Sequence, residues 1–263
     1  MRRIVAVLWL VVLVGVLAAV ALPAIWLYTA STLPMPVESA ADIERLLRSS
    51  AESDRRSLEV PKREVERRDE TWPTPDPSAL PPLLRALTTA ELGCPRYDDT
   101  PSETGWPWTR RIIAVVLEAT PTPGDGHCEL ALAMRLASRL GAVTPLQRAV
   151  VADRVHTFLT KSQLVAFDLA SQRHQPGIIG PEAASLELLQ KPLAQLTAAE
   201  LAELQLALPP SYAWDEVHQC TNAAMIRQVR DSRLEGLAAA GHLAADALKH
   251  ALDEPVRCLS VTR

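Results

Sequence analysis

Gly177-Ile178-Ile179-Gly180-Pro181-Glu182-Ala183-Ala184-Ser185, followed by Lys191-Pro192 and Leu196-Thr197-Ala198-Ala199-Glu200-Leu201-Ala202, is the stretch on which the reading of this chain turns. Gly180-Pro181 opens a helix, because proline at the first helical position brings a preset φ and lacks only an N–H that would find no partner there. Thr197 and Glu200 have capping-box spacing: each side chain can reach the other's backbone N–H at a helix start. Pro209-Pro210 ends that second helix. Two helices with their own start signals, set close together, predict a mainly α domain.

The same punctuation extends upstream. Thr160-Lys161-Ser162-Gln163 is another capping box, so a helix starts there and breaks at Gln175-Pro176-Gly177. Thr144-Pro145 begins the helix before it, through Arg148 and Asp153 to about Phe158. His127 to Leu140 forms one more, with Gly141 as its C-terminal stop. Leu80, Leu83, Leu84 and Leu87 recur at helical spacing and lead to Glu91, and Pro95 stops that helix. The apolar run from Arg110 to Glu118 fits helix or strand by length. Downstream, a long helix is expected over Asp215 to Ala240, closed by Gly241, and a short one to Asp253.

The N-terminus reads differently. Ile4 to Tyr28 contains no charged residue, and roughly 20 apolar residues suffice to cross a bilayer. Arg2 and Arg3 precede the run, which places the N-terminus in the cytoplasm and everything after Ser31 on the far side of the membrane. The alternative is a cleaved signal peptide, with Ala19-Val20-Ala21 as its small-residue site. The organisation expected is residues 1–31 as cytoplasmic stub and transmembrane anchor, 32–77 as charged stalk and Pro-rich linker, and 78–263 as the helical domain. Within the stalk, Ile43, Leu46 and Leu47 mark a short amphipathic helix, poorly packed on its own.

Four cysteines, Cys94, Cys128, Cys220 and Cys258, fit an oxidising compartment. Three pairings are possible; Cys94–Cys128 with Cys220–Cys258 is the one favoured here, and buried free thiols are the alternative. Cys94, His127 and Cys128 lack the C-x-x-C repeat of a zinc site, so no metal centre is expected. A net charge of −4 and 4% aromatics argue against nucleic acid as partner. Neither G-x-S-x-G, H-E-x-x-H nor a phosphate-binding P-loop is present, and the six scattered histidines read as surface or capping residues.

The collinear set from Gly177 to Ala202, with Leu208-Pro209-Pro210-Ser211-Tyr212 and the Arg227, Arg230, Arg233 helix leading to Gly241-His242-Leu243, resembles glycosyltransferase family 51. These are the peptidoglycan polymerases (transglycosylase domains) of penicillin-binding proteins and of monofunctional transglycosylases. The resemblance covers about residues 80–258 and implies a lysozyme-like helical glycosyltransferase domain behind a single transmembrane helix at the inner membrane, facing the periplasm. Its implied substrate is a lipid-linked disaccharide, the peptidoglycan precursor, and its implied partners are cell-wall synthesis proteins. No organic cofactor is implied, though a divalent cation is compatible with the family.

By the same resemblance Glu91, in Ala86-Leu87-Thr88-Thr89-Ala90-Glu91-Leu92, falls on the catalytic glutamate, the base that takes the proton from the acceptor sugar hydroxyl. Arg148 and Arg154, with Arg135 or Lys161, would hold the donor pyrophosphate, and Asp153 is the candidate second carboxylate. The chain departs from the family at Leu92, where the family has Asp. Gly124-Asp125-Gly126 replaces its Gly- and hydroxyl-rich turn, and the Arg148-to-Asp153 spacing of five should be four. These departures open a second expectation: a catalytically inactive relative acting as a binding or scaffolding module in the cell-wall machinery.

Overall fold

The computed structural model describes residues 37–57, 76–102, 104–116, 127–175, 178–206 and 223–257, with residues 9, 20, 21 and 23–31 nearer the N-terminus. The protein is mainly helical: α1 (Ala40–Ser57), α2 (Pro82–Glu91), α3 (Trp106–Val116), α4 (His127–Arg139), α5 (Pro145–Phe158), α6 (Lys161–Ala170), α7 (Pro181–Leu189), α8 (Ala198–Leu206), α9 (Ala223–Ala239) and α10 (Ala245–Asp253). One small antiparallel hairpin, β1 (Arg173–Gln175) and β2 (Ile178–Ile179), separates α6 from α7. Pro176 and Gly177, read as a helix break, lie outside the described residues. The Arg110–Glu118 run belongs to α3, which begins earlier, at Trp106.

Helix starts follow the capping residues. Thr144 and Thr160 both form complete capping boxes, with Gln147 and Gln163 as reciprocal partners. Thr197 does the same with Glu200: Glu200 N–H donates to Thr197 Oγ1 at 3.2 Å, and Thr197 N–H to Glu200 Oε2 at 3.0 Å. Caps of this kind each stabilise by ~1 kcal/mol.

Two packing centres hold the helices. In the first, α4 lies against α5 and α6. Leu132, Ala133, Leu136 and Ala137 of α4 pack in the same core as Ala149, Ala152 and Val155 of α5 and Leu164 of α6. The second is built around α8, whose residues are buried from Ala199 through Leu206 and which touches α2, α7, α9 and α10. A helix buried on all sides is ordinarily apolar all round, yet α8 carries Glu200 and Glu203, each only 1% exposed. Partners compensate them. Glu200 Oε1 takes Lys191 Nζ at 2.6 Å and Arg257 Nε at 3.0 Å. Glu203 Oε1 takes Nη1 of the fully buried Arg230 at 2.9 Å, and its Oε2 takes the Arg257 N–H at 3.0 Å. Burial raises the Glu200 pKa, but Lys191, the Thr197 N–H and Arg257 together hold it below its ordinary value. For Glu203 burial prevails and pushes the carboxyl up.

The stalk helix departs from expectation. α1 is not poorly packed: Ile43 and Leu47 are buried with Val37 in the main core, and the helix touches α5. Two large side chains at i and i+4 on one face suffice to dock it. Trp26, at the end of the apolar N-terminal run, also packs against this core. Most of the Ile4–Tyr28 run lies outside the described residues, and among those described no helix is long and apolar enough to cross a membrane. Most of the linker at 72–77, the turn at 124–126 and residues 207–222 are likewise outside them.

Removing the Arg230 guanidinium takes from the buried Glu203 the cation bonded to its Oε1. Arg230→Ala is expected to cost ~3–5 kcal/mol, read as a lowered midpoint in chemical denaturation. A loss under 1 kcal/mol would show that the pair contributes little.

Candidate functional site

Glu91 is the last residue of α2, and the chain turns sharply after it. Gly93 N–H donates to Ala90 O at 2.9 Å and Cys94 N–H to Thr89 O at 3.0 Å, the paired bonds of a Schellman stop. The turn needs Gly93 at φ +83°, a left-handed conformation that costs a β-carbon residue roughly 1 kcal/mol. The turn delivers Cys94 to Cys128, the second residue of α4, and the two form a disulfide. Cys220 and Cys258 lie outside the described residues, as does the pairing expected between them. The next residue, Pro95, is fastened from the other side, because its carbonyl oxygen bonds His242 Nε2 from the turn between α9 and α10.

Between α2 and α9 runs a groove of about 390 Å³, lined by Leu87, Ala90, Glu91 and Pro95 on one side and Ser232, Arg233, Gly236 and Leu237 on the other. Glu91 Oε1 stands 3.8 Å from Arg233 Nη2, with both side chains about three-quarters buried. The sequence-predicted catalytic carboxylate therefore faces a concave, largely apolar surface with Arg233 as its one basic partner among the described residues. A β-carbon built on Gly236 would meet nothing within 4 Å, so the groove has open space above α9.

The predicted pyrophosphate ligands are elsewhere. None of Arg135, Arg148, Arg154 or Lys161 lines the groove. Arg135 faces the fully buried Asp168 at 3.7 Å, beside Arg139 at 2.9 Å. Arg154 is exposed on α5, while Arg148 has its Nε closed off from solvent with no hydrogen-bond partner among the described residues. Lys161 Nζ is spent on Tyr97 O, on Thr100 O at 2.6 Å and on Thr100 Oγ1 at 2.8 Å, and it lies 4.2 Å above the Tyr97 ring. Asp153, the candidate second carboxylate, accepts the Trp108 indole N–H at 2.9 Å. The structure thus uses Arg135, Lys161 and Asp153 to join neighbouring elements, and does not gather the set around Glu91.

Sequence reasoning missed a second polar centre. Glu129, in the first turn of α4, is 2% exposed and bonds His156 Nε2 at 2.8 Å, with Lys161 Nζ at 3.9 Å. The Trp108 ring stacks on His156 at 3.6 Å between centroids. Burial first, then the charges of Glu129 and Asp98, push the Tyr97 hydroxyl well above the ordinary tyrosine range. His156 and the fully buried His174 correct the reading of the histidines as surface residues. The signal available was Glu129 itself, an acid between Cys128 and Leu130 at a helix start, where the helix dipole favours it. Among the described residues no group of three His, Cys, Asp or Glu side chains is placed to hold a metal ion. No family model matches the chain, and no curated protein matches it in sequence.

Two outcomes follow. The Cys94–Cys128 bond closes a loop of 34 residues, so replacing both by alanine is expected to lower stability by ~2–4 kcal/mol, checked by urea denaturation. Glu182, beside Gly180-Pro181, has its carboxyl pushed up by burial, with partial relief from its own backbone N–H. A raised folded pKa means the folded state holds the proton longer than the unfolded chain, so stability falls as pH rises through the range above 4.5. Glu182→Gln should gain stability over the wild type between about pH 4 and pH 7; an unchanged difference across that range would sink the assignment.

Proposed function

We propose that this chain is a membrane-anchored protein with a peptidoglycan-glycosyltransferase-like helical domain, and that it serves the cell-wall machinery as a binding or scaffolding module and not as a polymerase. The placement follows from Arg2, Arg3 and the uncharged run behind them: N-terminus in the cytoplasm, one crossing of the inner membrane, and the domain in the periplasm. The mainly helical architecture and the helix starts at Pro181 and Ala198 support the family likeness.

One observation carries the choice against catalysis. Polymerising a lipid-linked disaccharide expels a pyrophosphate, so several cations must meet the leaving group. Among the described residues, the groove holding Glu91 has Arg233 as its one basic lining residue, and none of Arg135, Arg148, Arg154 or Lys161 lines it. The competing reading, an active transferase with Glu91 as base, draws support from Glu91 facing a groove at all.

The discriminating experiment is polymerisation of purified lipid-linked disaccharide by the full chain in detergent, beside Glu91→Gln. No glycan strands are expected from either protein. Strands made by the wild type and lost in Glu91→Gln would overturn the binding-module reading and restore Glu91 as the base.

A further inference from the structure

We propose that the Glu91–Arg233 groove binds a small zwitterionic ligand with an apolar side chain, of the α-amino-acid class. This deepens the binding-module reading and rests on the groove being its working surface.

The argument begins with charge. Glu91 Oε1 and Arg233 Nη2 are 3.8 Å apart, a distance at which opposite charges attract without a hydrogen bond forming between them. Arg233 Nη1 is shut off from solvent and has no hydrogen-bond partner among the described residues, so this guanidinium is under-bonded. An incoming anion gains Arg233 but meets Glu91, and a cation gains Glu91 but meets Arg233. A head group carrying both charges on adjacent atoms satisfies both walls: its ammonium donates to Glu91 and its carboxylate accepts from Arg233 in charge-assisted hydrogen bonds. The site stays neutral overall, so no unpaired charge is enclosed.

Shape gives the rest of the ligand. Leu87, Ala90, Pro95 and Leu237 supply apolar walls. Gly236 adds no side chain on the α9 side and leaves open space where any other residue would stand. A volume of about 390 Å³ is at the lower end for small-molecule sites, which fits one amino acid. Pro95 is held both through the Cys94–Cys128 disulfide and through His242, so that wall is set before a ligand arrives.

The test titrates the full chain in detergent micelles with free leucine, followed by calorimetry and by amide NMR shifts. The same titration uses 4-methylpentanoate, which lacks the ammonium, and isopentylamine, which lacks the carboxylate. Leucine is expected to bind at least about tenfold more tightly than either, with shifts confined to residues 87–95 and 232–237. Gly236→Leu places a side chain in open space on a helix, so it should fold with an unchanged unfolding midpoint and weaken leucine by about tenfold or more. Glu91→Gln should erase the advantage of leucine over 4-methylpentanoate. Equal binding of the three compounds, no saturable leucine binding, or full binding by Gly236→Leu would each overturn the proposal. Such a failure, with no glycan strands in the polymerisation assay, removes this ligand and leaves the binding-module reading standing. Strands in that assay remove the reading itself, whatever leucine does.

Discussion

Enclosing α8 on every side forces two carboxylates, Glu200 and Glu203, out of water, and much of the C-terminal half is arranged to meet that cost. An isolated buried carboxylate is unsustainable; it must be paired, hydrogen-bonded or protonated. Lys191 comes from the segment after α7, Arg230 from α9, and Arg257 from beyond α10. Three separate pieces of chain converge on one short helix because it is acidic. Arg230 also donates to Glu254 O at 3.1 Å, so the residue that neutralises Glu203 fixes the end of α10 as well. Apolar packing alone would allow α9 to slide along α8; the ion pairs select one register. That register sets where Arg233, one helical turn beyond Arg230, meets Glu91 on α2.

The two polar centres have different consequences. The Glu200–Glu203 network positions the outer helix of the groove. The Glu129–His156–Lys161 centre binds α4, α5 and α6 to the Tyr97 segment, with Trp108 extending it to α3. Lys161 is informative. A lysine at the N-terminus of α6 could face a phosphate, but here its ammonium is fully occupied by Tyr97 and Thr100 carbonyls and the Thr100 hydroxyl. Freeing it for a ligand would break bonds that close the loop after α2. Arg135 is drawn the same way, toward the fully buried Asp168 at 3.7 Å, where it adds a second positive charge beside Arg139.

Helix boundaries were legible wherever a local signal sets them. Thr144, Thr160 and Thr197 act through side-chain bonds to neighbours three residues on, and Gly141 and Gly241 stop their helices through positive φ, all readable from a few residues. The docking of α1 was not legible, because Ile43 and Leu47 look sparse until a partner surface is present. The hairpin at β1 and β2 rests on pairing between short strands with no alternation to mark them. Glu91 was singled out by likeness and lines a groove, but its partner there was not foreseen. Arg233 meets it from more than a hundred residues away, a tertiary contact with no trace in local spacing. Choosing Arg148, Arg154, Arg135 and Lys161 rested on a resemblance that says nothing of where each cation points; in this chain Arg135 faces the buried Asp168 and Lys161 is bonded to Tyr97 and Thr100.

Among the described residues the groove has one carboxylate and one guanidinium and so no net charge, and that bears on what can dwell there. A pyrophosphate ester brings at least two negative charges, and Arg233 offsets one while Glu91 opposes the other. Two unit charges 4 Å apart interact by ~4 kcal/mol at the effective dielectric of a protein surface, so the repulsion cancels most of what Arg233 offers. Adding cations is the usual remedy, but among the described residues the rest of the lining is Leu87, Ala90, Pro95, Ser232, Gly236 and Leu237, none of them basic. A neutral groove with strong local polarity favours a neutral ligand with matching polarity. That is a discriminating surface for recognition and a poor one for expelling a diphosphate, which is why the charge census, more than the presence of Glu91, decides how this site is read.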